Sequence, residues 1–291
     1  MLSAADWLAA CRRIVVEQRK VFSEHASIAE RTVYDGIGEG GDHTLVIDRR
    51  CEDLVFDELE RLSAPGEAFT AISEERGAVE IGSGSKPALL VIDPIDGSLN
   101  ARRTLPTHCL SIAVASGPSM ADVEFGFIHE FGANEEFVAA RGDGARLNGE
   151  KIETSGPDAG LEVVGLESAD PAVLAGPMAA LAGKAWRIRA VGAIAMSLSY
   201  VAAGRFDGML TAKVCRSVDA AAGQLIVREA GGQVEFEGRS LNEAPLDLKA
   251  RYRLLAGANA GALEPLRTAQ GEAPTPAEAT TGPIGPVARP K

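Results

Sequence analysis

The segment 89–100 constrains the fold of this chain more than any other, because it joins an apolar run to a polar turn. Residues 89–92, Leu-Leu-Val-Ile, are typical of a buried strand. Proline cannot donate to a strand ladder, so we expect this strand to end at Asp93-Pro94. The following Asp96-Gly97-Ser98 indicates a turn or the start of a helix. Two carboxylates would then lie on one side of a tight turn, an arrangement that suits Mg²⁺.

Apolar periodicity predicts two helices and several strands in the first half of the chain. The helices are predicted over 3–22, where Ser3 can act as the N-cap, and over 47–62. A glycine-rich loop, 36–42, lies between them. Strands are predicted over 68–73, 88–92, 110–116, 123–129 and 136–140, with a hairpin turn at 131–134. We therefore predict that residues 1–150 form an N-terminal α+β half of the protein.

The second half alternates strands with helices, which is typical of an α/β layer. Strands are predicted over 161–166, 186–190 and 206–210, and helices over 171–181, 194–203 and 220–230. Residues 151–265 therefore read as an α/β half. Residues 266–291 contain five prolines and few large apolar side chains, so we expect a disordered tail there.

The charge and the cysteines narrow the classes of function. A net charge of −12 argues against a nucleic-acid groove, and phosphate binding would need local compensation by metal ions or cations. No segment approaches the roughly 18 apolar residues of a membrane helix, and no signal-peptide layout is present. We therefore expect a cytoplasmic protein without a membrane or nucleic-acid partner. The cysteines are widely spaced, as in a protein with reduced thiols: Cys11, Cys51, Cys109 and Cys215.

Acidic residues at the predicted ends of elements are the main candidates for chemistry. Asp93 and Asp96 also suit a polar turn, Glu74-Glu75 a solvated surface, and Asp219 a helix N-cap, so each has a purely structural alternative. Three acidic groups at element ends that could open onto one cleft favour a shared site. A helix that begins at Gly97 would add free N–H groups suited to a phosphate.

Two other patterns are excluded by their context. Gly36-x-Gly38-x-x-Gly41 matches the letters of a dinucleotide-binding loop but lacks the strand–turn–helix context. A phosphatase with an aspartyl nucleophile of the haloacid-dehalogenase type needs two aspartates two residues apart, whereas Asp93 and Asp96 are three apart. The four histidines show no ligand spacing, which favours structural or exposed roles over metal binding.

The chain resembles the inositol monophosphatase/fructose-1,6-bisphosphatase superfamily of Mg²⁺-dependent, lithium-sensitive phosphatases. The matching motifs follow the order and spacing of that family; they are Ser73-Glu-Glu75, Asp93-Pro-Ile-Asp-Gly-Ser98, Val218-Asp-Ala-Ala-Ala-Gly223 and Glu229-Ala-Gly-Gly232. The resemblance implies a layered αβαβα sandwich, hydrolysis of a phosphate monoester by metal-activated water, and two to three Mg²⁺ ions.

Carried over by motif, the resemblance implies a role for each acidic residue. Glu74, Asp93 and the carbonyl of Ile95 would bind one Mg²⁺, and Asp93, Asp96 and Asp219 a second. A third ion would contact Glu74 and the loop that carries Asp42. Ser98, where the family usually has threonine, would orient the attacking water with Asp48 as its partner, and the N–H groups of Gly97 and Ser98 would hold the phosphate.

The sequence departs from the family pattern at positions that bear on which substrate is bound. Many inositol monophosphatases have a tryptophan where this chain has Val218, and an acidic residue where it has Ala212. The chain is more similar to the archaeal-type dual-activity branch in the region of Lys213 and Arg216. A second phosphate on the substrate could be bound by the cations Lys213, Arg216 and Arg189. These three side chains could equally be solvated surface cations. Ser168 would contact hydroxyl groups of the substrate.

We therefore expect a phosphatase for myo-inositol-1-phosphate, fructose-1,6-bisphosphate or both. Alternatives on the same fold are a 3′-phosphoadenosine-5′-phosphate nucleotidase and a histidinol-phosphatase. The non-enzymatic alternative is a metal-dependent phosphate-binding homologue without turnover. The family resemblance also implies a homodimer.

Overall fold

The computed structural model describes residues 2–37, 43–63, 66–84, 87–156, 160–168 and 170–273. Its helices are α1 (Ala4–Glu24), α2 (Ile28–Arg31), α3 (Val46–Leu62), α4 (Ser98–Arg102), α5 (Pro171–Leu181), α6 (Ile194–Ala202), α7 (Ser217–Glu229) and α8 (Ala260–Gly271). Its first strands are β1 (Tyr34–Ile37), β2 (His43–Leu45), β3 (Ala68–Ser73), β4 (Gly77–Gly82), β5 (Ala88–Asp96), β6 (Cys109–Ala115), β7 (Val123–Glu130) and β8 (Glu135–Ala140). The remaining strands are β9 (Gly144–Leu147), β10 (Glu150–Ile152), β11 (Leu161–Glu167), β12 (Ala185–Arg189), β13 (Gly208–Thr211), β14 (Gln233–Phe236) and β15 (Leu254–Gly257). Across the described part of the chain, no helix is long and apolar enough to cross a membrane.

Two large sheets organise the molecule. The first has eight strands in the order β10-β9-β8-β7-β6-β5-β3-β4, in which β3 and β5 are parallel and the other neighbours antiparallel. The second has five strands in the order β12-β11-β13-β15-β14. In that sheet β11 runs parallel to both β12 and β13, so these three strands end at the same edge. The smaller β1–β2 pair precedes α3.

Alternate residues of the strands face different helical layers. Leu90 and Ile92 of β5 pack in a cluster with α1 and α3, whereas Val91 packs in a cluster with α6 and α7. The second cluster also contains Met209 and Ala256 of the second sheet, so α6 and α7 lie between the sheets. Residues of α5 and α8 form a further cluster with the opposite face of the second sheet. The predicted αβαβα layering is therefore confirmed.

The strand that was expected to end at Asp93-Pro94 continues to Asp96, so that prediction is wrong. Asp93 is paired with Ser111 and Asp96 with Cys109, and the register shifts between the two pairs. The shift is a β-bulge, in which two residues of one strand oppose a single partner residue. Proline is compatible with a bulge because no ladder N–H is required from it there.

Two further points need correction. The structural alternative for Asp219, a helix N-cap, is wrong, because α7 begins at Ser217 and Asp219 lies in its first turn. The tail cannot begin at 266, since α8 continues to Gly271 and buries Leu266. Residues 274–291 lie outside the described residues. The sequence patterns did not predict two helices and several short strands, which are α2, α8, β1, β2, β4, β9, β10, β14 and β15.

Candidate active site

The bulge of β5 determines how two of the predicted carboxylates are placed. The amide of Ile95 donates to Asp93 Oδ1 at 3.0 Å instead of to a neighbouring strand. The amide of Ala195, in the first turn of α6, donates to Asp96 Oδ2 at 2.7 Å. Asp93 and Asp96 are 3% and 8% exposed. Both carboxylates are therefore held by backbone amides in a buried strand end.

Neighbouring elements bring two more acidic residues to this strand end. Glu74 directly follows β3, whose last residue Ser73 is paired with Ile92 of the parallel strand β5. Asp219 lies in the first turn of α7 and accepts a hydrogen bond from the Arg216 amide at 2.7 Å. That position is electrostatically favourable for an anion, because the N-terminal end of a helix is positive.

The pKa values of the aspartates indicate that these carboxylates lie close enough to influence one another. Burial and the charges of Glu74, Asp96 and Asp219 raise the pKa of Asp93 well above its usual value. Burial and the charge of Asp219 likewise raise the pKa of Asp96, and burial and Glu74 raise the pKa of Asp219 to about 6. Buried carboxylates that repel one another favour protons or a cation between them.

Asp48, at the start of α3, joins the same site from another direction. It is 6% exposed, its Oδ2 accepts from the Leu45 amide at 3.2 Å, and burial raises its pKa to about 7. The nearby Ser98 hydroxyl lowers that pKa, and Glu74 and Glu75 raise it. The hydroxyl itself donates to the carbonyl of Ile95 at 2.8 Å.

Gly97 supplies the backbone conformation that turns the chain from β5 into α4. Its φ of +89° lies in the left-handed region, which L-residues with a side chain rarely adopt. A Cβ at this position would stand 2.9 Å from the carbonyl oxygen of Thr107. The turn therefore requires glycine for both its conformation and its close packing.

The donor set fits Mg²⁺ chemically, although its side chains are not gathered around one point. Carboxylate and carbonyl oxygens are the ligands that Mg²⁺ takes, and Asp48 Oδ1 is buried without a hydrogen-bond partner among the described residues. In the described part of the chain, no three His, Cys, Asp or Glu side chains are grouped closely enough to hold a metal ion. The Arg216 guanidinium forms an ion pair with Glu74.

The predicted substrate-binding residues follow the ends of parallel strands in the second sheet. Ser168 follows β11, Arg189 ends β12, and Lys213 lies two residues after β13. Lys213 Nζ donates to Asp170 Oδ2 at 2.5 Å, and Arg189 is exposed. Ser168 has a φ of +68°, which is rare for a residue with a side chain. The strand ends bring the three to one sheet edge, whereas Arg216 faces Glu74.

Two contributors to the site were not predicted from the sequence, and one predicted contributor lies outside the described residues. Glu167, at the end of β11, is 1% exposed, and its charge raises the pKa of Asp96. An acidic residue directly after an apolar strand was a usable signal, as it was for Asp93. The Ala195 amide carries no signal in its residue type. Asp42 lies outside the described residues.

Known proteins are similar to this chain in sequence and in fold. Residues 7–272 match the model of the inositol monophosphatase family. The fructose-1,6-bisphosphatase/inositol-1-monophosphatase of Thermococcus kodakarensis is 34% identical over 240 residues, which cover 82% of this chain and 87% of that protein. The inositol-1-monophosphatase of Mesorhizobium japonicum is 34% identical over 204 residues, with 67% and 72% coverage. A crystal structure of an inositol monophosphatase–fructose 1,6-bisphosphatase superimposes with a TM-score of 0.78 at 25% identity, covering 90% of this chain and 99% of the other.

Proposed function

Since the chain belongs to the inositol monophosphatase family, we propose that it hydrolyses a sugar or polyol phosphate with Mg²⁺ as its cofactor. The observation that supports this most directly is that Asp93, Asp96 and Asp219 all have raised pKa values, because each is buried and each has other carboxylates nearby. A buried site of this kind has a deficit of positive charge that divalent ions would remove.

Each carboxylate has a proposed place in metal binding. Glu74, Asp93 and the Ile95 carbonyl would hold one Mg²⁺, and Asp93, Asp96 and Asp219 a second. A third ion would use Glu74 and Asp42. When bound, Mg²⁺ lowers the pKa of water and neutralises charge on the phosphate and the leaving oxygen. Glu74 pairs with Arg216 through Oε1, so metal binding by Glu74 would either use Oε2 or displace the guanidinium.

Asp48 and Ser98 would handle the attacking water. The Ser98 hydroxyl can accept a hydrogen bond from water while it donates to a neighbour, because a hydroxyl is both donor and acceptor. Asp48, with a pKa of about 7, can take up a proton near neutral pH. The pair would therefore orient the water and hold its proton, and no covalent phospho-enzyme is needed.

The substrate would bind between the Gly97 turn and the edge of the second sheet. The N–H groups of Gly97 and Ser98 would hold the phosphate that is removed. Ser168 would contact hydroxyl groups, and Arg189, Lys213 and Arg216 are the candidates for a second phosphate. Relatives named as fructose-1,6-bisphosphatase/inositol-1-monophosphatase favour fructose-1,6-bisphosphate and myo-inositol-1-phosphate as substrates.

A phosphate-release screen tests the proposal against its alternatives. The panel contains myo-inositol-1-phosphate, fructose-1,6-bisphosphate, 3′-phosphoadenosine-5′-phosphate and histidinol phosphate, each with Mg²⁺ and with EDTA. Mg²⁺-dependent release from the first two supports the proposal. Release from only the nucleotide or only histidinol phosphate supports the corresponding alternative, and binding of phosphate without release from any ester supports the non-enzymatic one.

A double variant tests the role of the cations in substrate choice. Lys213→Ala with Arg216→Ala is expected to raise KM for fructose-1,6-bisphosphate more than KM for myo-inositol-1-phosphate, because only the former has a second phosphate. Equal increases would show that these cations do not recognise it. Arg146→Ala is the control, since Arg146 is an exposed cation of β9 in the first sheet.

Three further properties are proposed, of which the first two follow from the family resemblance alone. We propose that Li⁺ inhibits the enzyme, that it is a homodimer, and that it works in the cytoplasm. The described cysteines are all buried and unpaired, which supports a reducing compartment. Addition of Li⁺ to the screen and light scattering of the purified protein test the first two properties.

A further inference from the structure

Glu167 is a buried carboxylate that nothing in the proposed reaction uses directly. Its Oε1 accepts hydrogen bonds from the Val191 amide at 3.0 Å and the Ser197 hydroxyl at 2.5 Å, and its Oε2 accepts from the Gly192 amide at 2.9 Å. No Lys or Arg in the described ranges forms an ion pair with it. Burial of a carboxylate is costly unless its oxygens are hydrogen-bonded, and here three donors converge on it.

The segment that Glu167 holds leads into the active site. Val191 and Gly192 immediately precede α6, and the Val191 carbonyl accepts from Asn100 Nδ2 at 2.8 Å. Three residues after Gly192, the Ala195 amide donates to Asp96 Oδ2. The stretch 191–195 is therefore fixed to the second sheet by Glu167, to α4 by Asn100 and to the end of β5 by Asp96.

The contacts of Asp96 show what this anchoring achieves. Both donors that contact its carboxylate, the Ala195 amide and the more distant Cys109 thiol, approach Oδ2. The amide therefore selects one orientation of the side chain, in which Oδ1 remains available to a cation. If the start of α6 moved, Asp96 would lose the donor that fixes its orientation. Hydrogen-bond partners behind a metal ligand commonly set its geometry and affinity in this way.

We propose that Glu167 is a positioning residue for the metal site: it anchors the start of α6 so that the Ala195 amide holds Asp96 ready for Mg²⁺. The proposal rests on the proposed function, because it takes Asp96 as a metal ligand. A glutamine at this position would be a poor substitute. Its NH₂ group would face the N–H of either Gly192 or Val191, and neither backbone N–H can accept a hydrogen bond.

Mg²⁺ binding, measured by calorimetry on the full chain without substrate, tests the proposal. Glu167→Gln and Ser197→Ala are expected to weaken Mg²⁺ affinity about tenfold, within the range that loss of a partner behind a metal ligand produces. Ser199→Ala is the matched control. Ser199 is a buried serine on the same helix, but its hydroxyl donates to the Ala195 carbonyl at 2.9 Å and not to Glu167. Its Mg²⁺ affinity is expected to remain within twofold of wild type.

The outcomes separate this proposal from the function it rests on. If Glu167→Gln does not fold, Ser197→Ala carries the test, because it removes one donor and leaves the carboxylate in place. A folded Ser197→Ala variant with wild-type Mg²⁺ affinity, or an equal loss in Ser199→Ala, overturns the positioning role. A wild-type protein that binds no Mg²⁺ and releases no phosphate overturns the proposed function itself.

Discussion

Asp219 illustrates how a single residue can link stability to function. Its pKa is raised from 3.8 to about 6, mainly by burial and the charge of Glu74, so the folded protein binds this proton more tightly than the unfolded chain does. The ionised carboxylate consequently costs stability above about pH 6, and that cost disappears as the pH falls towards 3.8. Bound Mg²⁺ would remove the same cost at neutral pH.

Asp219→Asn is therefore expected to stabilise the metal-free protein. In EDTA at pH 7.5, the free energy of unfolding should rise by about 1 to 3 kcal/mol, and the gain should shrink as the pH is lowered towards 4. Urea unfolding at several pH values measures it. The exposed Asp57→Asn, on α3, is the control and should change little. A loss of stability in Asp219→Asn at pH 7.5 would refute the assigned repulsion.

His108 is expected to have the opposite effect on the pH dependence of stability, because its contribution is lost as the pH falls. Burial lowers its pKa to about 4, so the neutral ring is the form that packs against Phe22 and Phe131. Stability that this histidine contributes is complete above pH 6.5 and is lost as the pH falls towards 4. Since unfolding allows the ring to take up a proton, acidification should favour the unfolded chain.

As the pH falls from 7.5 to 5, this histidine should lower the free energy of unfolding of the wild-type protein by up to about 2 kcal/mol. His108→Phe should remove that part of the pH dependence, whereas His25→Phe, which replaces a less buried histidine, should retain it. Urea unfolding of the three proteins in EDTA at several pH values measures how steeply the free energy of unfolding changes with pH. Identical slopes for wild type and His108→Phe would contradict the buried neutral ring.

At the scale of elements, the turn from β5 into α4 combines a bulge with a left-handed glycine. Gly97→Ala would meet both an unfavourable φ of +89° and the Thr107 carbonyl oxygen at 2.9 Å. Gly149→Ala is a matched control, because its φ is +87° but no atom lies within 4 Å of the added Cβ. The difference between the two variants isolates the effect of close packing.

Gly149→Ala should cost about 1 to 2 kcal/mol, the usual penalty of the left-handed region, and leave phosphate release unchanged. Gly97→Ala should cost a further 1 kcal/mol or so for the steric contact and should also lower kcat for phosphate release. Thermal or urea unfolding and a phosphate assay check both. Equal losses of stability with equal activity would show that the turn tolerates a side chain.

Long apolar segments were predictable at this scale, whereas local geometry was not. The core strand β3 and helix α5 have the predicted bounds, because β3 is buried along most of its length and α5 begins at Pro171 after the N-cap Asp170. The end of β5 was wrong because a bulge accommodates Pro94, which no periodicity can indicate. The acidic groups could be found from strand ends and motifs, but the Glu74–Arg216 ion pair and the hydrogen bonds of Glu167 depend on tertiary contacts that no sequence pattern indicates.

At the scale of the whole molecule, the candidate site draws on separate layers. Asp93 and Asp96 come from the first sheet, Asp219 from a helix between the sheets, and Asp48 from the outer helix α3. The layered order follows from the strand and helix patterns along the chain, so it was predictable, as was the family resemblance. Which side chains meet between distant layers was not, because that depends on packing across the middle layer.

If the carboxylate cluster supports Mg²⁺-dependent hydrolysis, Asp93 is its key residue, because it would contact both ions. The decisive measurement is phosphate release from myo-inositol-1-phosphate and fructose-1,6-bisphosphate with Mg²⁺ or EDTA, by wild type, Asp93→Asn and the control Asp57→Asn. Wild type and Asp57→Asn should release phosphate only with Mg²⁺, and a folded Asp93→Asn should fall to the EDTA background. Near-normal release by Asp93→Asn, or release by wild type in EDTA, would contradict the account.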